Sequence, residues 1–312
     1  MNLNLPHLHL ILNHVPTVGT VIAFGLLATA LMRKSDALAR AALELFYGVA
    51  LLTLPAYVTG LATAQVLKEI PEVSAEAIAR HHDAAVIASF LMLLTGGLAW
   101  LALWQSRQGG RKTATTWSVL ILAALTLATM GGAASLGGEI RHPEIIVDEA
   151  TTADVGPEWL RAASIQVAVT ENVWLWPGLE AVHFVGLAVL FGVIVVVNAR
   201  LLGWMPAVSY AALHRLLPWA ALALGVNAIS GMLFLIATPE QYADNISFHA
   251  KLVLLLLAGA NLLYLTESEE PFRVGPNQRV PAMAKTMAVS GILLWIGVMY
   301  YGRMLPFIGG AF

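Results

Sequence analysis

Eight times along this chain an apolar run reaches the length needed to cross a lipid bilayer: at approximately 8 to 32, 42 to 66, 82 to 104, 117 to 137, 178 to 202, 210 to 237, 247 to 266 and 282 to 303. A spanning helix needs roughly 20 such residues, because hydrocarbon offers no partner to backbone N–H and C=O groups and only an internally hydrogen-bonded element can cross it. The expected fold is therefore an all-α integral membrane protein of eight transmembrane helices. Composition agrees. Charged residues make up 12% of the 312 residues and hydrophobic ones 58%, against roughly 25% charged in soluble domains. Pro55 and Pro218 fall inside runs, where membrane helices accommodate them as kinks.

The distribution of charge predicts an orientation. The loops 33 to 41, 105 to 116, 199 to 215 and 266 to 285 hold 11 of the 17 Lys and Arg, while the opposite set holds the other six with 14 of the 19 acids. By the positive-inside rule the first set is cytoplasmic and both termini lie outside, in the periplasm of a bacterial inner membrane. The first basic residue, Arg33, follows the first apolar run, so no cleaved leader is expected. There are no cysteines. That excludes disulfides, thiolate-held clusters and covalently attached c-type haem within the chain.

A polar stretch from 138 to 177 divides the chain into a first bundle, 1–137, and a second, 178–312, with four helices in each. Within the stretch, Pro157 to about Trp174 suits a short helix on the membrane surface. The halves repeat one another. His14 near the start of helix 1 corresponds to His183 near the start of helix 5, and His82-x-x-x-Val86 corresponds to His249-x-x-x-Val253. Helices 2 and 6 carry the hydroxyl–glycine pairs Thr59-Gly60 and Ser230-Gly231, and the fourth helices end near Arg141 and Arg303.

In an up-and-down bundle the first and third helices run the same way, so His14 is expected beside His82 and His183 beside His249, both pairs at the outer face. Ionisable residues in membrane helices usually face a bundle interior and mark function. Two imidazoles meeting across an iron porphyrin would hold one b-type haem per half, with Arg141 and Arg303 placed to pair with propionates. Another metal, or plain interhelical hydrogen bonding by these histidines, stands beside that reading. His81 and His82 are interchangeable at this level. His7, His9, His81 and His142 are candidates for an external metal site, against the alternative of solvated surface histidines. Glu180 and Asp83 are each either interfacial carboxylates or proton-transfer groups. Trp159, Trp174 and Trp176 fit an aromatic belt, and His214 a structural role.

The residues His14-Val15-Pro16 and Leu136-Gly137-Gly138-Glu139-Ile140-Arg141-His142 give the first half a resemblance to a family of uncharacterised bacterial four-helix membrane domains. The second half, from HFVGLAVLFG through SGMLFLIATPEQY to FHAKL, resembles another such family, near copper-resistance membrane proteins and b-type cytochromes. The chain is also similar in plan to haem A synthase, although its histidines fall on odd-numbered helices. The resemblance implies a tandem of cytochrome-b-like modules. Taken together, the expectation is a membrane cytochrome with two bis-histidine haem b groups, a subunit of a larger membrane complex. It would pass electrons between the quinone pool and a periplasmic c-type cytochrome or cupredoxin, with no nucleic-acid partner. A haem-modifying enzyme using Glu180, and a cofactor-free scaffold or metal-handling protein, are the alternatives.

Overall fold

The computed structural model describes residues 4–109, 113–142, 156–272 and 275–308, and every regular element among them is helical. In chain order these are α1 (Leu5–Leu12), α2 (His14–Arg33), α3 (Asp36–Lys68), α4 (Ala75–Gly109), α5 (Thr113–Arg141), α6 (Ala162–Glu171), α7 (Leu175–Leu202), α8 (Tyr210–His214), α9 (Leu217–Ala237), α10 (Pro239–Ala243), α11 (Ile246–Glu267), α12 (Glu269–Phe272) and α13 (Ala282–Met304). Eight spans are long and apolar enough to cross a membrane, α1–α2 and α8–α9 each counting as one. The protein is a multi-pass membrane protein.

Helix ends extend past the apolar runs. α4 starts at Ala75 and α5 continues to Arg141, so Gly138–Arg141 belongs to a helix rather than to the polar stretch. His81 consequently sits six positions beyond the helix start, about 9 Å along the axis at 1.5 Å per residue, rather than at its mouth. Within the stretch 157–174 the structure forms the shorter helix α6, and Trp174 directly precedes α7. Pro218 lies in the first turn of α9, directly after the interruption at Arg215–Leu216 that separates α8 from α9 within one span.

One break matters for the site. Pro16 has no N–H to offer the Leu12 carbonyl, and the helix is interrupted at Asn13, whose N–H still bonds the His9 carbonyl at 2.9 Å. α1 is thereby a separate segment. It is capped by the Asn4 side chain, which accepts from the His7 N–H at 3.0 Å, and it packs on α3.

The chain forms two compact units. The first comprises Met1–Ala99, Thr113–Trp176 and Met232–Ala243. In it α2 packs against both α3 and α5, and α1 against α3. Small residues set these approaches: a Cβ on Gly19 would lie 2.6 Å from a Val49 methyl, and one on Gly96 only 2.2 Å from the Ala50 Cβ. Polar pairs pin the interior, with Thr95 and Thr126 hydroxyls 2.8 Å apart. Such bonds between membrane helices contribute about 0.6 kcal/mol each on average.

The second unit comprises Trp100–Lys112, Pro177–Gly231 and Asp244–Phe312, with α11 against α13 as its main packing. The Asn261 amide donates to the Met287 carbonyl at 2.9 Å and lies over Gly291. At the end where α7 and α11 finish, Tyr210 donates to the Leu265 carbonyl at 2.7 Å and Trp100 to the Thr266 hydroxyl at 3.0 Å. Arg107 donates to the Glu267 carbonyl and Arg200 to the Val208 carbonyl. His214, fully buried, bonds Gln108 and the Thr266 carbonyl, the structural role its position suggested.

Candidate cofactor site

In the first unit two histidines are held alike. The His9 ring leaves α1 toward α3, with Nδ1 3.0 Å from the Ala56 carbonyl and 3.3 Å from the Thr59 hydroxyl. It rests on Gly60, where a Cβ would stand 3.0 Å from the ring. The His81 ring leaves α4 toward α5, with Nδ1 2.9 Å from the Ala133 carbonyl, and rests on Gly137 at the same 3.0 Å. In both cases the carbonyl lies four residues before the glycine. The two imidazoles are near enough to interact electrostatically.

This arrangement fixes their chemistry. A carbonyl can only accept, so in the neutral ring the proton sits on Nδ1 and the lone pair on Nε2. Neither Nε2 makes a hydrogen bond among the described residues. Metal-bound histidines are characteristically oriented this way, with the second nitrogen donating to a carbonyl or carboxylate that locks the ring and raises its basicity.

The expected partners behave differently. His14 is exposed, with Nδ1 3.1 Å from the Leu10 carbonyl of the preceding turn. His82 has its Nε2 2.8 Å from the hydroxyl of buried Tyr57. In the first unit the two rings held alike are those of His9 and His81, not those of His14 and His82. The physical reason is helical register: at 100° per residue His9 and His14 point about 140° apart, and His81 and His82 about 100° apart.

Charged groups gather around His81. Arg80 is nearly buried and pairs with Glu139 of α5 at 3.6 Å, while its Nε has no partner among the described residues. The Asp83 carboxylate accepts the N–H of Ala162 at 2.8 Å, which places a negative charge at the start of α6. Arg141 is exposed at the end of α5. The expected propionate partner Arg141 is therefore less enclosed than Arg80, which the sequence did not single out.

In the second unit His183 of α7 has Nδ1 2.8 Å from the Ser230 hydroxyl of α9 and lies over Gly231, 3.9 Å from where a Cβ would be. Ser230 donates its own proton to the Val226 carbonyl at 2.8 Å, so it accepts from Nδ1, and again the lone pair falls on Nε2. The group on α11 that interacts electrostatically with His183 is Lys251. The Lys251 side chain lies along Gly302 of α13, with Nζ 3.5 Å from a Cβ placed there. His249 is half-buried, two residues earlier and so about 200° round the helix from Lys251. Arg303 is exposed, its guanidinium 5.4 Å from the centre of the Phe307 ring. Glu180 is exposed one turn before His183.

Among the described residues no group of three or more His, Asp or Glu side chains is arranged to hold a metal ion, so His7, His9, His81 and His142 do not form the external site considered above. Trp159 and Trp174 are exposed as a belt requires, whereas Trp176 packs on Phe234 with ring centres 4.9 Å apart.

Fold and site together define a multi-pass helical membrane protein with oriented imidazoles in both units. No protein-family model matches the chain, nor does any curated protein or solved structure.

Proposed function

We propose that the protein is a b-type membrane cytochrome whose first unit holds haem between His9 and His81. What supports this is a matched donor set: two imidazoles on different helices, each seated on a glycine, each with Nδ1 tied to a backbone carbonyl and Nε2 left as the Lewis base. His9 and His81 would hold the haem, which would supply reversible one-electron chemistry. The chain's own groups do the rest. The Ala56 and Ala133 carbonyls hold ring planes and tautomers, the glycines keep the rings from being pushed off their seats, and Arg80 offers an unpartnered Nε to a carboxylate. Electrons would pass between the quinone pool and an external carrier such as a c-type cytochrome or cupredoxin, with the termini outside and the protein in a bacterial inner membrane beside other subunits.

A reduced-minus-oxidised spectrum of the purified protein tests this. The expected result is a b-type α band that disappears in His81→Ala and persists in His82→Ala. A spectrum without haem, or one lost in His82→Ala and kept in His81→Ala, would overturn the assignment.

A further inference from the structure

In the first unit α4 and α5 are joined side chain to side chain, by the Thr95 and Thr126 hydroxyls 2.8 Å apart. Thr126 stands eleven residues before Gly137, and the residue eleven before Gly302 is Gly291, which brings no group of its own to the corresponding place in α13. Longer side chains converge there instead. A Cβ on Gly291 would lie 2.6 Å from Asn261 Oδ1 of α11 and 3.1 Å from Asn198 Nδ2 of α7. We propose that the space over Gly291 is a binding site for an ordered water, which accepts from Asn198, donates to Asn261 and so joins α7, α11 and α13 inside the second unit. The site is independent of the haem assignment.

Three observations carry it. First, the polar atoms that meet there have no partner among the described residues. Asn198 is fully buried and Asn261 is 6% exposed, yet neither Asn198 Nδ2, Asn198 Oδ1 nor Asn261 Oδ1 makes a hydrogen bond with them. Trp295, one turn beyond Gly291 on the same face of α13, adds a buried indole N–H in the same condition. Polar groups so deep in a spanning bundle are costly unless something satisfies them, and buried amides that go wholly unsatisfied are rare.

Second, the geometry suits one bridging molecule. The Asn261 amide nitrogen donates to the Met287 carbonyl at 2.9 Å, which fixes the amide oxygen over Gly291. That oxygen and Asn198 Nδ2 close on the same point without bonding each other. One water joins a donor to an acceptor up to roughly 5.5 Å apart. Third, the chemistry selects water over an ion. A hard cation takes oxygen ligands and is repelled by an amide N–H, and an anion is repelled by an amide oxygen, whereas water donates and accepts at once.

The test is a crystal structure of the whole purified protein at a resolution that shows ordered water, with thermal unfolding of variants in nanodiscs beside it. A density peak within hydrogen-bonding distance of both Asn198 and Asn261 is expected, and it should vanish in Asn198→Leu. Asn198→Leu and Asn261→Leu should each lower the unfolding midpoint by several degrees, while the double variant falls no further than the worse single one, because either change already releases the shared water. A direct bond between the two amides with no peak between them, or additive losses in the double variant, would overturn the proposal. So would a midpoint that rises saturably with sodium or potassium but not with choline, which would make the site one for a cation. The density in the unaltered protein decides the matter even if a leucine variant does not fold.

Discussion

His81 lies over Gly137 in the first unit and Lys251 over Gly302 in the second, and the difference between them separates what a glycine seat provides from what the side chain on it can do. The scaffold provides a glycine near the end of one helix and a backbone or hydroxyl acceptor one turn away or adjacent. Together these pin a ring from the neighbouring helix. The opposing side chain differs: an imidazole in the first unit, which the proposed function makes an iron ligand, and an amine in the second.

The largest expected effects attack the first seat. His9→Ala or His81→Ala should abolish haem binding, whereas His183→Ala should leave the haem content of the first unit intact; haem-to-protein ratios read this directly. Equal loss in all three variants would mean that the units do not hold separate sites, and the comparison would fail.

Next come the glycine seats. A branched side chain at Gly137 would start 3.0 Å from the His81 ring before its own branches are added. Gly137→Val is therefore expected to reduce haem affinity by tenfold or more, as judged by haem retention during titration with a competing apo-protein. Gly302→Val should instead displace Lys251 and spare the haem. A third variant probes the ion pair that ties α4 to α5. The side chains of Arg80 and Glu139 are only 10% and 15% exposed, and removing one member of an enclosed pair costs about 3 kcal/mol. Glu139→Gln should lower the thermal unfolding midpoint by several degrees while His81 keeps its haem.

The smallest effect belongs to the expected ligand that the structure engages elsewhere. Tyr57→Phe removes the 2.8 Å bond to His82, and a single interhelical hydrogen bond in a membrane protein is worth about 0.6 kcal/mol. A slight destabilisation with an unchanged haem spectrum is the expected outcome. A large spectral change would restore His82 as a candidate ligand.

The eight spans were legible because hydropathy over twenty residues is a strong signal, and the structure retains all of them. Their ends were not, since polar turns such as those before His81 and after Leu136 are helical without being apolar. The hydroxyl–glycine pairs Thr59-Gly60 and Ser230-Gly231 were visible as repeats, and they mark where rings dock. The histidine that reaches the first of them is His9, five residues and so about 140° round the helix from His14, a matter of register rather than of repeat spacing. The pattern His-x-x-x-Val favoured His82 and His249, but the faces of α4 and α11 that meet the partner glycines carry His81 and Lys251. Register between distant helices is set by packing, which a one-dimensional alignment of two halves does not contain.

Electron paramagnetic resonance of the oxidised, purified protein reports most directly on the ligands themselves. A single low-spin ferric species with bis-imidazole g values, at one iron per chain, is the predicted result. High-spin iron, an amine-ligated signature, two distinct low-spin species or no ferric haem signal would contradict the assignment of His9 and His81.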